Sequence, residues 1–309
     1  MELDSLKTIG FEITGKCNFN CVHCYLGAKN NNFLAKEFIM NVIKKIGSNF
    51  HSIYLTGGEP LLHPDFIDIY TNIRKQGFLI TILTNGSLIN DDIWDLFKES
   101  MPHKIEISLY GMTEITNEKV TGIKGSFDVV MSNIIKLNKM YQNFILKYNV
   151  LTINYHELDT FINFCKKNNI SFSISTQIIP DLFGNQDTTT YRLDPQKSVS
   201  LLQRLGLDLR TVNEVQHICD AGDNIFIDSN KVLRGCPVLK TDHDLKIEKE
   251  CDSSLMLSTM KSIKTFCNTL DDKICPGWIA LEDKEKVKSY IDQVAFYKKN
   301  LSLKDTIKI

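Results

Sequence analysis

The sequence predicts an α/β protein whose strands form a parallel sheet. In the first half of the chain, short apolar runs typical of buried strands alternate with longer runs whose apolar residues recur at helical spacing. Six such repeats indicate parallel strands joined by right-handed crossovers. In sheets of this kind the active site lies at the carboxyl ends of the strands, so the loops that follow them are candidate sites.

The six predicted strands are Lys7–Thr14, Ser52–Thr56, Phe78–Thr84, Lys104–Leu109, Ile145–Thr152 and Ser171–Thr176. The predicted helices between them are Ala35–Ile46, Pro64–Gln76, Asp91–Ser100, Phe127–Tyr141 and Glu157–Lys167. In the second helix, Phe66, Ile69 and Ile73 form one apolar stripe. We expect Pro64 in its first turn, where a missing N–H costs nothing, and Gly77 at its end.

The regular alternation stops after about Pro180. Asp181–Tyr191 is polar and predicts a linker, and a helix-like stretch begins at Pro195. Ile225–Asp228 and Val232–Arg234 flank three turn-forming residues and predict a β-hairpin. A helical tail is predicted for Glu282–Lys299.

Composition excludes several classes of protein. The chain has 309 residues, of which 43% are hydrophobic and 24% charged, as in ordinary globular proteins. A net charge of −1 gives no reason to expect nucleic acid or an anionic membrane as partner. No apolar run reaches the length of a membrane span, and acidic residues stand where a signal peptide would be apolar. We therefore expect a cytoplasmic protein, in which nine cysteines are metal ligands or redox groups rather than disulfides.

Three cysteines follow the first strand, in Cys17-Asn-Phe-Asn-Cys21-Val-His-Cys24. Three thiolates this close suit an iron–sulfur cluster, because they bind three irons of a [4Fe–4S] cubane and leave the fourth open for a small molecule. The C-x3-C-x2-C spacing differs from the C-x2-C pairs of structural zinc sites. The alternative is a set of buried or disulfide-bonded cysteines.

This spacing resembles the defining motif of the radical S-adenosylmethionine (SAM) enzymes. The resemblance implies a partial (β/α)6 barrel of the TIM type, with SAM bound to the open iron through its amino and carboxylate groups. It further implies one-electron cleavage of SAM to a 5′-deoxyadenosyl radical that abstracts a substrate hydrogen.

The same resemblance assigns SAM-binding roles to residues at the ends of other strands. Gly57, Gly58 and Glu59 correspond to the motif that holds the SAM amino group, and Glu59 can pair with an ammonium. Ser108 corresponds to a residue that contacts the methionine or ribose part of SAM, and Asn85 lies at the same rim. Tyr25 is expected near the adenine. The alternative for Gly57, Gly58 and Glu59 is a simple turn. The alternative for Ser108 is a hydroxyl that satisfies local backbone groups at the strand end, and for Tyr25 it is ordinary packing.

The segments Ile107–Gly111 and Val120–Phe127 resemble the branch of the family that carries C-terminal SPASM or twitch extensions, many of whose members modify ribosomally made peptides. Ser126 is the expected N-cap of the following helix. In that branch, a cysteine in C-x-A-G and one after a hairpin bind an auxiliary [4Fe–4S] cluster. Cys219 and Cys236 match these positions, and Cys275 matches a further ligand.

The chain departs from the full SPASM pattern, because Trp278 stands where a second cysteine would complete C-x2-C. Five C-terminal cysteines cannot ligate two clusters, so the resemblance implies one auxiliary cluster. Cys267 is the expected fourth ligand, with Cys251 or an open iron as alternatives. Cys251 is otherwise a hydrogen-atom donor or an exposed thiol. Cys165 is expected in the core, and His23 is expected to pack in the cysteine loop.

These observations predict a radical SAM enzyme with three regions: a barrel over residues 1–180, a bridge over 181–215 and an auxiliary-cluster domain over 216–309. The expected substrate is a peptide that receives a thioether or carbon–carbon cross-link, and the electron donor is an external protein of the flavodoxin or ferredoxin type. Peptide epimerisation and small-molecule chemistry are the enzymatic alternatives. The first strand begins near Lys7, which leaves no room for a separate peptide-binding domain before it and weighs against a peptide. A non-catalytic iron–sulfur electron carrier or redox sensor is the rival, which the glycine motif disfavours.

Overall fold

The computed structural model describes residues 8–205 except 28, 47–49, 142, 184 and 186, together with residues 224–235, 237, 244–247, 254, 258, 259 and 262. The predicted C-terminal helix Glu282–Lys299 lies outside these residues. So do Cys219, Cys236, Cys251, Cys267 and Cys275, whose assignments stay predictions.

One sheet of nine strands organises the described chain, in the order β6-β5-β4-β3-β2-β1-β7-β8-β9. Strands β1 to β6 are mutually parallel, and β7 adds to β1 in parallel before the sheet turns antiparallel. The bounds are β1 Thr8–Thr14, β2 Ser52–Gly57, β3 Leu79–Thr84, β4 Lys104–Ser108, β5 Phe144–Asn149, β6 Ser171–Ser175, β7 Ile225–Ile227, β8 Val232–Arg234 and β9 Leu245–Lys246. The six parallel strands confirm the partial-barrel prediction.

Helices connect the parallel strands. They are α1 Lys36–Ile46, α2 Phe66–Lys75, α3 Asp91–Glu99, α4 Glu114–Thr121, α5 Ser126–Met140, α6 Leu158–Lys167 and α7 Pro195–Arg204. Helix α2 starts two residues after Pro64, which therefore lies outside its first turn, whereas Gly77 follows its end with a φ of 87° as expected. Among the helices of the described segments, none is long and apolar enough to cross a membrane.

Two details differ from the sequence prediction at the start of α5. Gly125 occupies the N-cap position, with a φ of 75°, and Ser126 is the first helical residue. The Ser126 hydroxyl is buried and accepts from Asn117 Nδ2 at 3.0 Å, so it fastens α5 to α4 instead of capping. Helix α4 itself was not predicted, because its buried residues are mostly polar and form no apolar stripe.

Burial alternates along β2 to β5 and distinguishes two faces of the sheet. One residue in two is fully buried and joins the helices in a single core, as do Ile53, Ile82, Ile105 and Leu146. Cys165 on α6 belongs to this core, as predicted. The alternate residues of β2 to β5 are half-buried and point to the opposite side, which is the inner face of the partial barrel. They are Tyr54, Thr56, Thr81, Leu83, Lys104, Glu106, Ser108, Ile145, Lys147 and Asn149.

The predicted hairpin forms and extends the barrel sheet. Ile9, Gly10 and Phe11 pair with Ile225, Phe226 and Ile227. At the hairpin turn, Ser229 donates to Glu12 Oε1 from its hydroxyl at 2.6 Å and from its backbone N–H at 3.3 Å. Strand β1 therefore has β2 on one side and β7 on the other.

Candidate functional site

The loop Cys17–Cys24, called the Cys loop below, leaves the carboxyl end of β1. Its three cysteines are half-buried free thiols. Asn20 and Val22 donate backbone hydrogen bonds to Thr121 and Val120 at 2.7 and 3.0 Å, so α4 holds the middle of the loop. The backbone N–H of Phe19 also donates to Cys17 Sγ at 3.4 Å. These contacts give the thiols a fixed place above the strand ends.

The thiols share one electrostatic environment. Burial raises the pKa of Cys17, Cys21 and Cys24, and for Cys21 the charges of the other two thiolates add to this effect. Lys29 lowers the pKa of all three. Its ammonium donates to Asn20 Oδ1 at 2.6 Å, which keeps it beside the loop. Burial therefore disfavours three thiolates here unless a positively charged partner compensates their charge.

A turn of two glycines and Glu59, residues 57–59 and called the glycine turn below, packs directly on the Cys loop. Gly58 N–H donates to Thr14 O at 2.8 Å, and Glu59 N–H donates to Lys16 O at 2.9 Å. A Cβ at Gly58 would lie 2.4 Å from Lys16 O and 2.7 Å from Cys17 Cβ. Only a glycine allows the two motifs to approach this closely, so the structure brings together residues predicted to share a site.

Glu59 is fully buried and connects the ends of two strands. Its Oε1 accepts from Thr84 Oγ1 at 2.7 Å and from Leu61 N–H at 3.2 Å, and its Oε2 accepts from Asn85 N–H at 2.7 Å. Burial raises its pKa to about 7, although these hydrogen bonds oppose the shift. A carboxylate offers about four acceptor positions. Three are used by protein donors within the described structure, and the SAM contact of Glu59 stays a prediction.

Asn85 supports the Cys loop from the end of β3. Its Nδ2 donates to Asn18 Oδ1 at 2.9 Å, and its Oδ1 accepts from the backbone and hydroxyl of Ser87 at 2.9 and 2.7 Å. The Asn85 amide is thus engaged within the protein. Its position at the rim agrees with the prediction, and its contacts indicate a structural role beside the predicted binding role.

The ends of β4 and β5 complete the rim under the Cys loop. Ser108 forms a hydrogen bond with the hydroxyl of Tyr110, whose pKa is raised by burial and by the nearby Cys21. The ring of Tyr110 meets that of His23 edge-on, with centroids 4.7 Å apart. Asn149 Nδ2 lies 3.4 Å from His23 Nε2.

His23 packs in the Cys loop, as the sequence predicts. Burial lowers its pKa to about 4, so the imidazole is neutral near pH 7. Its Nδ1 is buried and has no hydrogen-bond partner among the described residues.

Tyr25 lies where the chain leaves the Cys loop. Its carbonyl accepts from Leu182 N–H at 2.7 Å, and its side chain is half-buried. The contact attaches residues 181–182 of the predicted bridge to the cysteines. The adenine contact of Tyr25 stays a prediction.

The donor set of the Cys loop consists of three thiols, the ligand type that iron–sulfur clusters use. In the part of the chain that the structure describes, no three His, Cys, Asp or Glu side chains are grouped so that they could hold one ion. A cubane places each thiolate on a different iron, which requires wider separation of the sulfurs. Three half-buried thiols on one loop provide one thiolate for each of three irons.

Sequence reasoning missed several residues of the site. Asn18 lies within the Cys loop and accepts from Asn85, and Lys29, Tyr110 and Asn149 contact or influence the loop. Lys29 stands five residues after Cys24, and a cation so near three cysteines is a signal that the sequence offers. Asn149 offers no local signal, because it meets His23 only through the packing of β5.

The chain is similar to known proteins in sequence and in fold. A GTP 3′,8-cyclase of Saccharolobus islandicus, described as probable, is 34% identical over 134 residues, which are 42% of each chain. An AdoMet-dependent heme synthase of Methanosarcina barkeri is 29% identical over 157 residues, 49% of this chain and 45% of that one. The chain thus matches less than half the length of these curated relatives.

Two solved structures share the fold at low identity. Streptococcus suis SuiB bound to its precursor peptide SuiA has a TM-score of 0.62 at 16% identity, covering 75% of this chain and 60% of that one. The structure of anSMEcpe with AdoMet and the Cp18Cys peptide has a TM-score of 0.68 at 14% identity, covering 97% and 99%. The family model of the radical SAM superfamily matches residues 11–165, half of the chain, and includes both the Cys loop and the glycine turn. The chain therefore belongs to the radical SAM superfamily.

Proposed function

We propose that this radical SAM enzyme modifies a peptide. Membership of the family implies a [4Fe–4S] cluster and SAM, which when bound supply one-electron cleavage of SAM. The observation that carries the radical SAM activity is the junction of the Cys loop with the glycine turn, where Gly58 lies against Cys17 without room for a Cβ. An electron carrier has no need of such a turn, so this contact favours an enzyme over the non-catalytic rival. The peptide substrate is supported by the solved structures named above.

In this proposal, different residues around the junction bind the cluster and SAM. Cys17, Cys21 and Cys24 hold the cluster, and Lys29 offsets part of the negative charge that the thiolates bring. Gly57 and Gly58 expose backbone to SAM, while Glu59 keeps one acceptor position for its ammonium. Ser108, Tyr25 and Asn85 line the remainder of the SAM site in this proposal. The protein orients these groups and excludes water, whereas the cofactors carry the chemistry.

Two kinds of substrate have support. Both solved structures named above contain a peptide, SuiA in one and Cp18Cys in the other, and their likeness extends over three quarters or more of this chain. The curated relatives, a GTP cyclase and a heme synthase, are more similar in sequence but over a shorter segment. A small-molecule substrate is accordingly the second candidate. Cross-linking through a thioether or carbon–carbon bond is the proposed outcome on a peptide, with epimerisation as the alternative.

The auxiliary cluster and the domain organisation belong to the same proposal. Cys219, Cys236, Cys275 and Cys267 hold one further [4Fe–4S] cluster in a domain over residues 216–309, and residues 181–215 bridge it to the barrel. Cys251 is the proposed hydrogen-atom donor of an epimerase. A flavodoxin- or ferredoxin-like protein supplies the electron. The described hairpin between Cys219 and Cys236 supports this arrangement, because it joins that segment to β1.

Replacement of the three loop cysteines tests the catalytic cluster. The triple variant Cys17→Ala, Cys21→Ala, Cys24→Ala should lose 5′-deoxyadenosine formation and about four of about eight irons after anaerobic reconstitution. Cys165→Ala is the matched control, since Cys165 is buried in the core away from the loop, and it should keep both. Cleavage of SAM by the triple variant would refute the assignment.

The iron count of the unmodified protein tests the auxiliary cluster. Two cubanes give about eight irons, and the joint replacement of Cys219, Cys236 and Cys275 should leave about four with SAM cleavage intact. About four irons in the unmodified protein would remove the auxiliary cluster, and about twelve would mean a second one. Cys251→Ala should keep all iron and abolish product only if epimerisation is the reaction.

A further inference from the structure

Three charged side chains lie together on the inner face of the barrel. Lys104 Nζ is 2.9 Å from Glu106 Oε1, and Lys147 Nζ is 2.8 Å from Glu106 Oε2. Glu106 stands between the fully buried Ile105 and Ile107, so its side chain points away from the helices. The side chains of Lys104, Glu106 and Lys147 are 32%, 15% and 45% exposed. They are therefore open to a ligand in the barrel without being part of the outer surface.

The group carries more positive than negative charge. Both ion pairs that the structure gives these lysines, within the described residues, go to the one carboxylate of Glu106. Two ammonium groups against one carboxylate leave a net charge of +1. An ammonium has three donors, and each lysine uses one of them on Glu106. Burial raises the pKa of Glu106, but the two lysines outweigh this and hold it below its usual value, so the carboxylate stays ionised.

The charged group lies one step from the candidate active site. Lys147 pairs in register with Ser108, which contacts Tyr110. Asn149, two residues after Lys147 and on the same face, lies beside His23 of the Cys loop. Two residues along a strand span about 7 Å. A substrate that reaches the Cys loop over β4 and β5 therefore passes within a few ångströms of Lys147.

We propose that Lys104 and Lys147 bind a carboxylate of the substrate, and that Glu106 positions both ammonium groups for it. This inference rests on the proposed function, because it takes the inner face as the substrate site and a peptide as the substrate. The carboxylate comes from an acidic side chain or from the peptide C-terminus. Lysine binds such a group as a point charge through its remaining donors.

The test measures the rate at which each lysine is acetylated, by mass spectrometry of the reconstituted protein at constant ionic strength. N-acetylglutamic acid α-amide supplies only a side-chain carboxylate, N-acetylglutamine only an α-carboxylate, and N-acetylglutamine amide neither. At a probe concentration of about twice its Kd, the rates at Lys104 and Lys147 should fall about threefold, because only the free site reacts. The neutral amide should leave both rates unchanged.

Lys36 is the internal control. It pairs with Asp68 at 3.0 Å, and its side chain is 31% exposed, close to the value for Lys104, but it lies on the helical exterior. Its rate should not respond to any probe. In Lys147→Ala, the protection of Lys104 should be lost. In Glu106→Gln, protection of both lysines should decrease, because the carboxylate that positions the two ammonium groups is gone.

The outcomes separate this inference from the proposed function. Protection by only one carboxylate probe supports the inference and shows whether the site binds a side-chain carboxylate or a C-terminal carboxylate. Protection by both probes also supports a carboxylate site. Equal rates with and without carboxylates would overturn the inference, since the lysines would then only neutralise Glu106. Protection by inorganic pyrophosphate alone would overturn it in favour of a phosphate-bearing substrate. Formation of 5′-deoxyadenosine is measured separately, and its absence in the unmodified protein would refute the proposed function whatever the lysines do.

Discussion

Strand β1 has a different kind of junction on each side. Towards β2, the contact between the Cys loop and the glycine turn consists of backbone groups, with Gly58 N–H and Glu59 N–H donating to Thr14 O and Lys16 O. Towards β7, each contact above the paired strands involves a side chain, with Ser229 donating to Glu12 and Asn32 donating to Asn230. The first junction holds the candidate site, and the second attaches the segment that leads to the C-terminal cysteines.

The difference lies in what can disturb each junction. Backbone contacts do not titrate, and at Gly58 they leave no space for a side chain, so the first junction is sensitive to volume. The second depends on buried charge: Arg234 lies 2.8 Å from Asp228 and 3.3 Å from Asp244, and Asp228 in turn accepts from Asn230 and Val232 N–H. Charge changes should therefore loosen the hairpin while the Cys loop stays in place.

Arg234→Met should have the largest effect. It removes the cation from two carboxylates with low solvent exposure, and such uncompensated charge costs about 3–5 kcal/mol. Hydrogen exchange should speed up in β7 and β8, with β2 and β3 unaffected. The control is Arg204→Met, which breaks an exposed pair with Asp159 of the same 2.8 Å length and should cost less than about 1 kcal/mol. Equal effects of the two variants would contradict the assigned burial of the hairpin charges.

Gly58→Ala should affect the other junction. The added Cβ would meet Lys16 O and Cys17 Cβ, so the backbone must shift, at a cost of about 2–3 kcal/mol in the free energy of unfolding. The amount of iron bound at the Cys loop should decrease together with the free energy of unfolding. Gly77→Ala is the control, because no atom beyond Gly77 and its two chain neighbours lies within 4 Å of its Cβ position. Its positive φ of 87° costs about 1 kcal/mol, yet the iron content should stay unchanged.

The backbone contacts of the first junction do not titrate, but Glu59 beside them does. We therefore predict that Glu59 makes the free energy of unfolding depend on pH. Its pKa is about 7 in the folded protein against 4.5 as the reference, so the folded state binds more protons between these values. The free energy of unfolding should therefore decrease as pH rises through this window. Glu59→Gln removes this pH dependence, because glutamine does not titrate. Its amide NH2 group would also face donors that now bond the carboxylate, either Asn85 N–H or Leu61 N–H and Thr84 Oγ1. This mismatch should cost about 1–2 kcal/mol in the free energy of unfolding.

Urea unfolding of the wild type and Glu59→Gln at several pH values between 5 and 8 tests this prediction. The gap in stability between the two should narrow as pH rises. A constant gap would mean that Glu59 keeps its ordinary pKa. SAM affinity, measured on the same samples, should fall about tenfold in the variant if the remaining acceptor position serves the ammonium.

The sequence predicts the parts of the molecule that depend on local pattern. The strands, most helices and the Cys loop follow from apolar spacing and from the cysteines themselves, and the hairpin follows from its turn residues. The edge to which the hairpin pairs could not be predicted, because Ile9 and Ile225 are far apart in the chain and either edge of the sheet accepts a strand. The ion pairs of Glu106 were missed for the same reason, since β4 and β5 become neighbours only in the fold.

The smallest predicted effect compares one amide from each junction. Asn85 joins the end of β3 to Asn18 through a part-buried hydrogen bond of 2.9 Å, whereas Asn32 joins Asn230 through an exposed bond of 2.7 Å. Removal of a buried partner leaves the other group unsatisfied, so Asn85→Ala should cost about 1 kcal/mol or slightly more. Water replaces the lost partner at the exposed bond, so Asn32→Ala should lower the free energy of unfolding by only a few tenths of the value for Asn85→Ala. Urea midpoints at constant m-value measure both. A larger loss in Asn32→Ala would mean that the hairpin junction, rather than the Cys loop, depends on its amide contacts.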